Sequence, residues 1–293
     1  MKASRASTTA FHVQQGILHI ASQPRYAGLV PDDMVNAGRR MLAGSAQGTK
    51  YLWQIDTPWF RVLLQLMERS LLPGISLHYV MRKRFIEDCV RQSIDEGVRQ
   101  IVNLGAGLDT LLWRLHSSYK HLRLFELDHP ETLKLKRQSI APADNLQLLE
   151  IDFTQQSIAT SLQEHVNFSQ EVPTLFICEG VLMYLEESTV TGFFQELKPL
   201  MSAYSHIVFT SMEPLGSPEY PDNLLLQAYL KLQKEPFKWS ISRASLPKFL
   251  QSLGYSFAET TYGDLLADRY LSFSRPKTCD NIESVTVAHM GPK

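Results

Sequence analysis

The chain has 293 residues, of which 44% are hydrophobic and 20% are charged, and 29 basic side chains nearly balance 30 acidic ones. This length and composition are typical of a globular protein with a substantial buried core. A formal net charge of -1 excludes the general electrostatic attraction that draws basic proteins to nucleic acids or anionic membranes, so we expect neither as a partner.

The first 97 residues contain helical patterns and no convincing strand, so we predict an N-terminal helical cap over 1–97. Two stretches, 58–72 and 75–94, carry apolar residues at the spacing of an amphipathic helix. The start lacks the continuous apolar core of a signal peptide, and no later segment reaches the roughly 18 to 20 apolar residues of a membrane span. We therefore expect a cytoplasmic protein.

From residue 98 onward, short apolar runs rich in branched residues alternate with helix-length stretches, as in a parallel sheet with helices on both faces. This pattern predicts a doubly wound α/β core over 98–293, whose clearest helix spans 186–201. An insertion rich in proline and aromatic residues, over 213–240, follows the fifth strand. The seven predicted strands are 100–104, 122–127, 146–151, 173–178, 205–211, 255–261 and 284–289.

The cysteines and histidines do not indicate a metal site. Cys89, Cys178 and Cys279 are widely spaced and form no Cys-x-x-Cys pair, and no histidine cluster has metal-ligand spacing. The odd number of cysteines favours a reducing compartment. We predict no metal ligand in this chain.

The first predicted strand ends in Gly105-Ala106-Gly107 and turns directly into an apolar segment of helical spacing. Such a turn exposes backbone N–H groups and lets a ligand approach the main chain, because glycine has no side chain. The turn fits a dinucleotide, a nucleoside cofactor without phosphate, or a tight connection in which Asp109 caps the helix. Asp109 puts a negative charge where a pyrophosphate would bind, and Thr110 replaces the third glycine of the dinucleotide motif, which disfavours NAD.

Acidic residues follow each of the next three strands. Glu126 and Asp128 lie nineteen and twenty-one residues beyond the second glycine of the turn, the spacing at which a carboxylate reaches ribose hydroxyls. Asp152 ends the third strand beside the apolar Phe153, where its carboxylate can accept from an adenine amino group. Glu179 follows the fourth strand. Because open α/β sheets bind ligands at the carboxyl ends of their strands, this coincidence predicts one site.

Three stretches, "IVNLGAGLDTLLWRL", "FELDHPETLKLKR" and "PTLFICEGVLMYLEE", together resemble the leucine carboxyl methyltransferase family of class I S-adenosylmethionine-dependent methyltransferases, which includes bacterial polyketide O-methyltransferases. The similarity runs from about Tyr79 to Met201. It implies a Rossmann-like sheet of seven strands whose last strand is antiparallel, with S-adenosylmethionine as the cofactor. It also implies contacts to the methionine part from Gly105, to the ribose from Asp128, to the adenine from Asp152 and Phe153, and to the methionine amino group from Glu179.

The resemblance further implies that an arginine of the helix predicted over 75–94 holds the cofactor carboxylate. Arg82 falls on an apolar stripe of that helix, where an unpaired guanidinium would be costly and a carboxylate partner is expected. Arg84 falls on a charged face with Glu87 and Arg91, where it is predicted to be a solvated surface charge. We therefore select Arg82.

Methyl transfer from a sulfonium is an in-line displacement, so most of its rate can come from holding donor and acceptor in contact in a dry site. A carboxylate acceptor needs no general base, whereas a phenol or alcohol needs one. No catalytic residue is assigned, because His129 more simply marks a turn before proline. Tyr184 is predicted either to line the acceptor pocket or to pack in the core. The insertion supplies aromatic side chains for a pocket wall or for the core, namely Tyr220, Tyr229, Phe237 and Trp239.

These patterns predict an S-adenosylmethionine-dependent O-methyltransferase that forms a methyl ester on a carboxylate, or methylates a hydroxyl group, of a small-molecule acceptor such as a polyketide-like or other secondary metabolite. One alternative acceptor is the C-terminal carboxylate of a protein. A different class, either an NAD-dependent enzyme or a cofactor-binding protein without turnover, also stays open. The sequence indicates no oligomeric state.

Overall fold

The structure is a computed structural model that describes residues 8–153, 155–218, 237–272 and 281–290. Its strands form one seven-stranded sheet, and each predicted strand is present with ends that differ by no more than one residue. The strands are β1 (Gln100–Leu104), β2 (Arg123–Asp128), β3 (Leu146–Glu150), β4 (Thr174–Cys178), β5 (His206–Met212), β6 (Tyr255–Tyr262) and β7 (Glu283–Met290).

The sheet has the order β3-β2-β1-β4-β5-β7-β6. The pairs β2/β3, β1/β2, β1/β4 and β4/β5 are parallel, whereas β7 is antiparallel to both β5 and β6. The doubly wound sheet with an antiparallel last strand is therefore confirmed. The central strands β1 and β4 are buried along their whole length, which explains why Ile101 and Val102 of β1 and the apolar residues of β4 are consecutive rather than alternating with polar ones.

The helical cap expected at the N-terminus contains five α-helices in the described range. The predictions over 58–72 and 75–94 are confirmed, and the second of these helices follows Gly74, whose φ of +84° suits glycine at a helix start. The cap helices are α1 (Thr8–Ala21), α2 (Asp32–Ala43), α3 (Ala46–Asp56), α4 (Pro58–Leu71) and α5 (Ile75–Asp95).

The helices after β1 connect the strands. The helix predicted over 186–201 ends its α-helical part at Leu197 and continues as one 3-10 turn over Lys198–Leu200, because Pro199 cannot extend an α-helix. Within the described residues, the α-helices after β1 are α6 (Leu111–Leu115), α7 (Pro130–Ser139), α8 (Ile158–Gln163), α9 (Glu187–Leu197), α10 (Leu246–Ser252) and α11 (Gly263–Tyr270). None of the helices within the described ranges is long and apolar enough to cross a membrane.

The cap and the sheet share one hydrophobic core. Phe11 of α1 and Phe85 of α5 belong to the same buried cluster as Ile101 of β1 and Leu175 of β4. The other face of the sheet is covered by a second cluster that includes Phe176 of β4. The first half of α5 lies near the carboxyl ends of β4 and β1, because Lys83 contacts both Glu179, directly after β4, and Asp109, in the turn after β1.

Candidate functional site

The turn after β1 requires glycine at two positions. Gly105 and Gly107 adopt left-handed backbone conformations, with φ of +71° and +52°. A Cβ atom at Gly105 would also overlap Cγ2 of Val181, which follows β4. The N–H groups of Gly105 and Ala106 both donate to the carbonyl of Leu127, at 2.8 and 3.2 Å. The turn is therefore fixed against the end of β2.

Asp128 is the last residue of β2 and contacts this turn. Its Oδ2 accepts from the N–H of Gly107 at 2.6 Å, and its Oδ1 accepts from the N–H of His129 at 2.6 Å. The Nδ1 of His129 accepts from the N–H of Glu131 at 3.3 Å, so this imidazole caps α7. Asp128, the residue predicted to bind the ribose, is thus hydrogen-bonded to the glycine turn.

Asp109 has two roles within the protein. Its Oδ1 accepts from the N–H of Leu111 at 3.0 Å, as expected of a helix cap, and its Oδ2 lies 3.0 Å from Nζ of Lys83. Burial opposes ionisation of Asp109, but Lys83 and then Lys136 outweigh it and hold the pKa of Asp109 well below its usual range. Protein carboxylates therefore occupy the N–H groups of Gly107 and Leu111, which a pyrophosphate would need.

Glu126 and Asp128, the two acids predicted near the ribose, have different surroundings. Glu126 has no exposed surface, and its Oε2 lies 2.6 Å from Nζ of the equally buried Lys136. Burial raises the pKa of Glu126, and the Lys136 ammonium offsets that rise only in part. Asp128 lies two residues further along the same face and is partly exposed. Asp128 is thus the better placed of the two to meet a ligand.

Asp152 lies just beyond the end of β3, which stops at Glu150, one residue earlier than predicted. The Oδ2 of Asp152 accepts from Nε2 of Gln155 at 2.9 Å, and its N–H donates to Oε1 of Gln156 at 2.9 Å. Phe153 is half-buried against the second core cluster. The loop adjoins the ribose candidate, because the N–H of Ile151 donates to the carbonyl of Asp128 at 2.9 Å.

Glu179, directly after β4, binds two cations from α5. Its Oε1 accepts from Nε of Arg82 at 2.8 Å and lies 2.7 Å from Nη2 of the same guanidinium. Its Oε2 accepts from Nζ of Lys83 at 2.8 Å. The three side chains are only 6%, 6% and 10% exposed. The carboxylate partner expected for Arg82 is therefore present, and the structure adds Lys83, which the sequence interpretation missed.

Glu283 and His78 belong to the same buried charged cluster as Arg82, and sequence reasoning missed both of them. The Oε2 of Glu283 contacts Nη1 of Arg82 and lies 3.0 Å from Nε2 of the fully buried His78. Burial opposes the ionisation of Glu283, but the Arg82 charge and the His78 hydrogen bond outweigh this effect of burial. Together they lower the pKa of Glu283 to about 2. The sequence signal that could have identified Glu283 is its position as an acidic residue directly before the strand predicted over 284–289.

The prediction of a solvated charged face on α5 is wrong for Arg84 and Glu87. Arg84 is half-buried, donates from Nη1 to the carbonyl of Leu29 at 2.7 Å and lies over the ring of Tyr270 at 5.4 Å. Glu87 is buried and pairs with Arg114 at 2.5 Å. The physical reason is that α11 and the segment before α2 pack on Arg84, and Arg114 of α6 packs on Glu87, so that a solvated face does not form.

An apolar cluster lies beyond Glu179, at the ends of β4 and β5. Tyr184 is partly buried there, with its ring centroid 5.7 Å from that of Phe237. The cluster consists of Met183, Met212 and Ile282, packed against Leu72, Tyr184 and Phe237. Trp239 instead packs in the second core cluster and is 4% exposed. This corresponds to the second alternative for the aromatic residues of the insertion, which is packing in the core. Tyr220 and Tyr229 lie outside the described residues.

Neither described cysteine is a candidate nucleophile. Cys178, next to Glu179, is fully buried, and burial raises the pKa of its thiol far above the usual range. Burial and then the charge of Glu259 raise the pKa of Cys89 to about 12. Cys279 lies outside the described residues. No cluster of His, Cys, Asp or Glu able to hold a metal occurs in the part of the chain that the structure describes.

Comparison with known proteins gives one consistent result. The sequence pattern of the leucine carboxyl methyltransferase family matches residues 25–198. A Mycolicibacterium gilvum protein, provisionally named an S-adenosyl-L-methionine-dependent methyltransferase, is 28% identical in an alignment of 199 positions that covers 63% of this chain and 64% of that protein. Leucine carboxyl methyltransferase 1 of Caenorhabditis elegans is 29% identical in an alignment of 175 positions that covers 50% of this chain and 52% of that protein. The similarity thus spans less than two thirds of either relative.

A solved structure shares the fold. A protein of Thermobifida fusca YX, provisionally named a methyltransferase, superposes with a TM-score of 0.61 over 87% of this chain and 93% of that one. The identity is 16%, so this likeness concerns the fold alone.

Proposed function

The chain belongs to the leucine carboxyl methyltransferase family, and from that premise we propose that it is an S-adenosylmethionine-dependent O-methyltransferase. Its acceptor is a carboxylate, or a hydroxyl group, of a small molecule. The observation that carries the proposal is the buried contact of Glu179 with Arg82 and Lys83 beside the glycine turn. A carboxylate next to cations suits the amino acid end of the cofactor, which carries one ammonium and one carboxylate.

The residues of the site fit this cofactor group by group. In the proposal Glu179 binds the ammonium, and Arg82 binds the carboxylate. Asp128 binds the ribose hydroxyls in preference to the buried Glu126. Asp152 and Phe153 bind the adenine. The turn contributes Gly105, Ala106, Gly107 and Asp109, which let the main chain approach the cofactor.

The same turn favours this cofactor over NAD. The N–H groups of Gly107 and Leu111 already donate to the carboxylates of Asp128 and Asp109. A pyrophosphate would have to displace both carboxylates and then lie next to their negative charges. A cofactor without phosphate avoids that repulsion. We therefore expect S-adenosylmethionine to bind and NAD not to bind.

When bound, S-adenosylmethionine supplies a methyl group on a positively charged sulfur, which is transferred by in-line displacement. The chain contributes position and a dry surface, since Met183, Tyr184 and Phe237 form an apolar cluster next to the strand end that carries Glu179. His129 is engaged as a helix cap, and the thiol of Cys178 is buried, which raises its pKa far above the usual range. This supports an acceptor that needs no base, which is a carboxylate.

Two measurements test the proposal. Titration calorimetry with S-adenosylmethionine and with NAD tests the cofactor, and binding of NAD alone would contradict the proposal. Incubation with methyl-labelled cofactor and extract of the source cell tests the reaction. We expect label in the small-molecule fraction that mild alkali releases, because an ester is hydrolysed and an ether is not. Label that resists alkali would indicate a hydroxyl or nitrogen acceptor.

Methylation of a protein C-terminal carboxylate is the second candidate. It is supported by the similarity to leucine carboxyl methyltransferase 1 of C. elegans, which matches half of this chain. The same labelling experiment separates the two candidates. Alkali-labile label that is retained with protein after gel filtration in denaturant would favour the protein acceptor over the small molecule.

A further inference from the structure

Lys83 has a position that the proposed function does not yet explain. Its ammonium lies 2.8 Å from Oε2 of Glu179 and 3.0 Å from Oδ2 of Asp109, and its side chain is 10% exposed. Burial disfavours the charged form, but Asp109 and then Glu179 outweigh it and raise the pKa of Lys83. Lys83 is therefore a second buried cation beside Arg82, at the end of the site where the cofactor's amino acid part is proposed to bind.

Each of the two cations has one carboxylate of its own and shares a third. Arg82 contacts Glu283, Lys83 contacts Asp109, and both contact Glu179. A buried charge that loses all its partners is costly. Here either cation can release Glu179 and still retain a carboxylate. The arrangement allows Glu179 to change partners without leaving an isolated charge behind.

An incoming ammonium that binds Glu179 withdraws that carboxylate from Arg82 and Lys83 together. Two cations then lack the anion that they shared. The carboxylate attached to the same carbon as the ammonium has the opposite charge and two oxygens, so it can replace Glu179 as the shared anion. Binding of a zwitterion thus conserves the number of ion pairs at both cations.

We propose that Lys83 is a second ligand for the cofactor carboxylate, and that Glu179 passes from Lys83 and Arg82 to the cofactor ammonium on binding. This inference rests on the proposed function, because it names a contact in the same site. It predicts that Lys83 acts on the carboxylate and not on the nucleoside. Lys83 thereby makes the site selective for a cofactor with an intact amino acid end.

The test uses Lys83→Met and three ligands in titration calorimetry: S-adenosylmethionine, the same compound without its carboxylate, and 5'-methylthioadenosine, which lacks the whole amino acid end. Loss of a charge-assisted contact is expected to weaken binding of S-adenosylmethionine by about 10- to 100-fold. Binding of the decarboxylated compound and of methylthioadenosine is expected to be unchanged or tighter. Lys83→Arg, which keeps the charge, is expected to recover most of the lost affinity.

Lys120→Met is the matched control, since Lys120 is exposed and lies before the amino end of β2, whereas the site lies at the carboxyl ends of the strands. It is expected to bind all three ligands as the wild type does. Equal weakening of S-adenosylmethionine and the decarboxylated compound in Lys83→Met would overturn the inference, because it would indicate a structural role. Unchanged binding of S-adenosylmethionine would overturn it as well.

Two further outcomes stay distinguishable. If Lys83→Met does not fold by thermal melting, Lys83→Gln keeps polar contacts to both carboxylates and is measured in the same way, with the same selective loss expected. If the wild type itself does not bind S-adenosylmethionine, the proposed function fails, whatever the variants do. Binding by the wild type together with an unselective variant overturns only the inference about Lys83.

Discussion

Arg82 of α5 donates to Glu179, which lies at the end of β4 and 97 residues further along the chain. The contact joins the helical cap to the sheet at the edge where four strand ends converge. Lys83, the next residue of the helix, reaches the other oxygen of the same carboxylate. Adjacent helical residues normally face different directions, so the long side chains of arginine and lysine make this convergence feasible. The proposed ligand site is therefore also the junction between cap and sheet.

The shape of the Arg82 guanidinium is expected to matter as much as its charge. Its Nε and Nη2 contact Glu179 while Nη1 contacts Glu283. In Arg82→Lys a single ammonium cannot span both carboxylates, so affinity for S-adenosylmethionine is expected to fall about tenfold or more. Calorimetry measures this. Arg91→Lys is the control, because the Arg91 side chain is 46% exposed and pairs with Glu87 away from Glu179 and Glu283. Wild-type affinity in Arg82→Lys would contradict the site.

Asp128→Asn is expected to weaken the nucleoside contact. The variant keeps the shape of the side chain and one acceptor oxygen, which can serve the N–H of Gly107 or that of His129 but not both, and it loses the charge that would bind ribose hydroxyls. Affinities for S-adenosylmethionine and for methylthioadenosine are expected to fall by the same factor, about tenfold, because both contain the ribose. Glu150→Gln is the control, since Glu150 is the register partner of Asp128 on β3 and is half-exposed. A loss confined to S-adenosylmethionine would exclude the ribose role.

Gly105→Ala is expected to destabilise the protein. The residue would be held at a φ of +71°, and its Cβ would overlap Val181. The free energy of unfolding in urea is expected to fall by about 1 to 3 kcal/mol. Adding Val181→Ala removes the overlap, so the double variant should be more stable than the sum of the two single losses predicts.

A second glycine provides the control for this substitution. Gly192 lies within α9, and a Cβ built there meets no heavy atom within 4 Å. Gly192→Ala is expected to raise the free energy of unfolding by about 0.5 to 1 kcal/mol, because alanine favours a helix interior. If both alanine substitutions lowered the free energy of unfolding equally, the turn after β1 would have no special requirement for glycine.

The stability of the protein at acid pH is expected to depend on Glu283. The pKa of this carboxyl is lowered from 4.5 to about 2, so its ionised form stabilises the folded state above pH 4.5. That contribution is lost as the pH falls from 4.5 toward 2. Urea denaturation of the wild type should show this decline, and Glu283→Gln should reduce its slope by up to about 1.4 kcal/mol per pH unit. Parallel curves for the two proteins would exclude this role of Glu283.

Much of the fold was predictable because its signals are local. Buried strands are short runs of apolar residues, amphipathic helices repeat their apolar residues at helical spacing, and the glycine turn lies within three residues. Each predicted strand is present for this reason. The apolar stripe of α5 likewise identified Arg82 as a buried cation, because an arginine among apolar neighbours on one helix face needs an anionic partner.

The sequence by itself thus determined the order of the elements, the strand ends that carry acids and the need of Arg82 for a partner. Only the tertiary structure decided which partners meet. Glu283 is 201 residues from Arg82 and reaches it because β7 inserts antiparallel between β5 and β6, so that the start of β7 lies at the edge where the other strands end. Lys136 is only ten residues from Glu126, but the two side chains meet only because α7 packs back against β2, where both are fully buried. Local periodicity shows which face of an element is buried, but the strand order of the sheet decides which charges are brought together there.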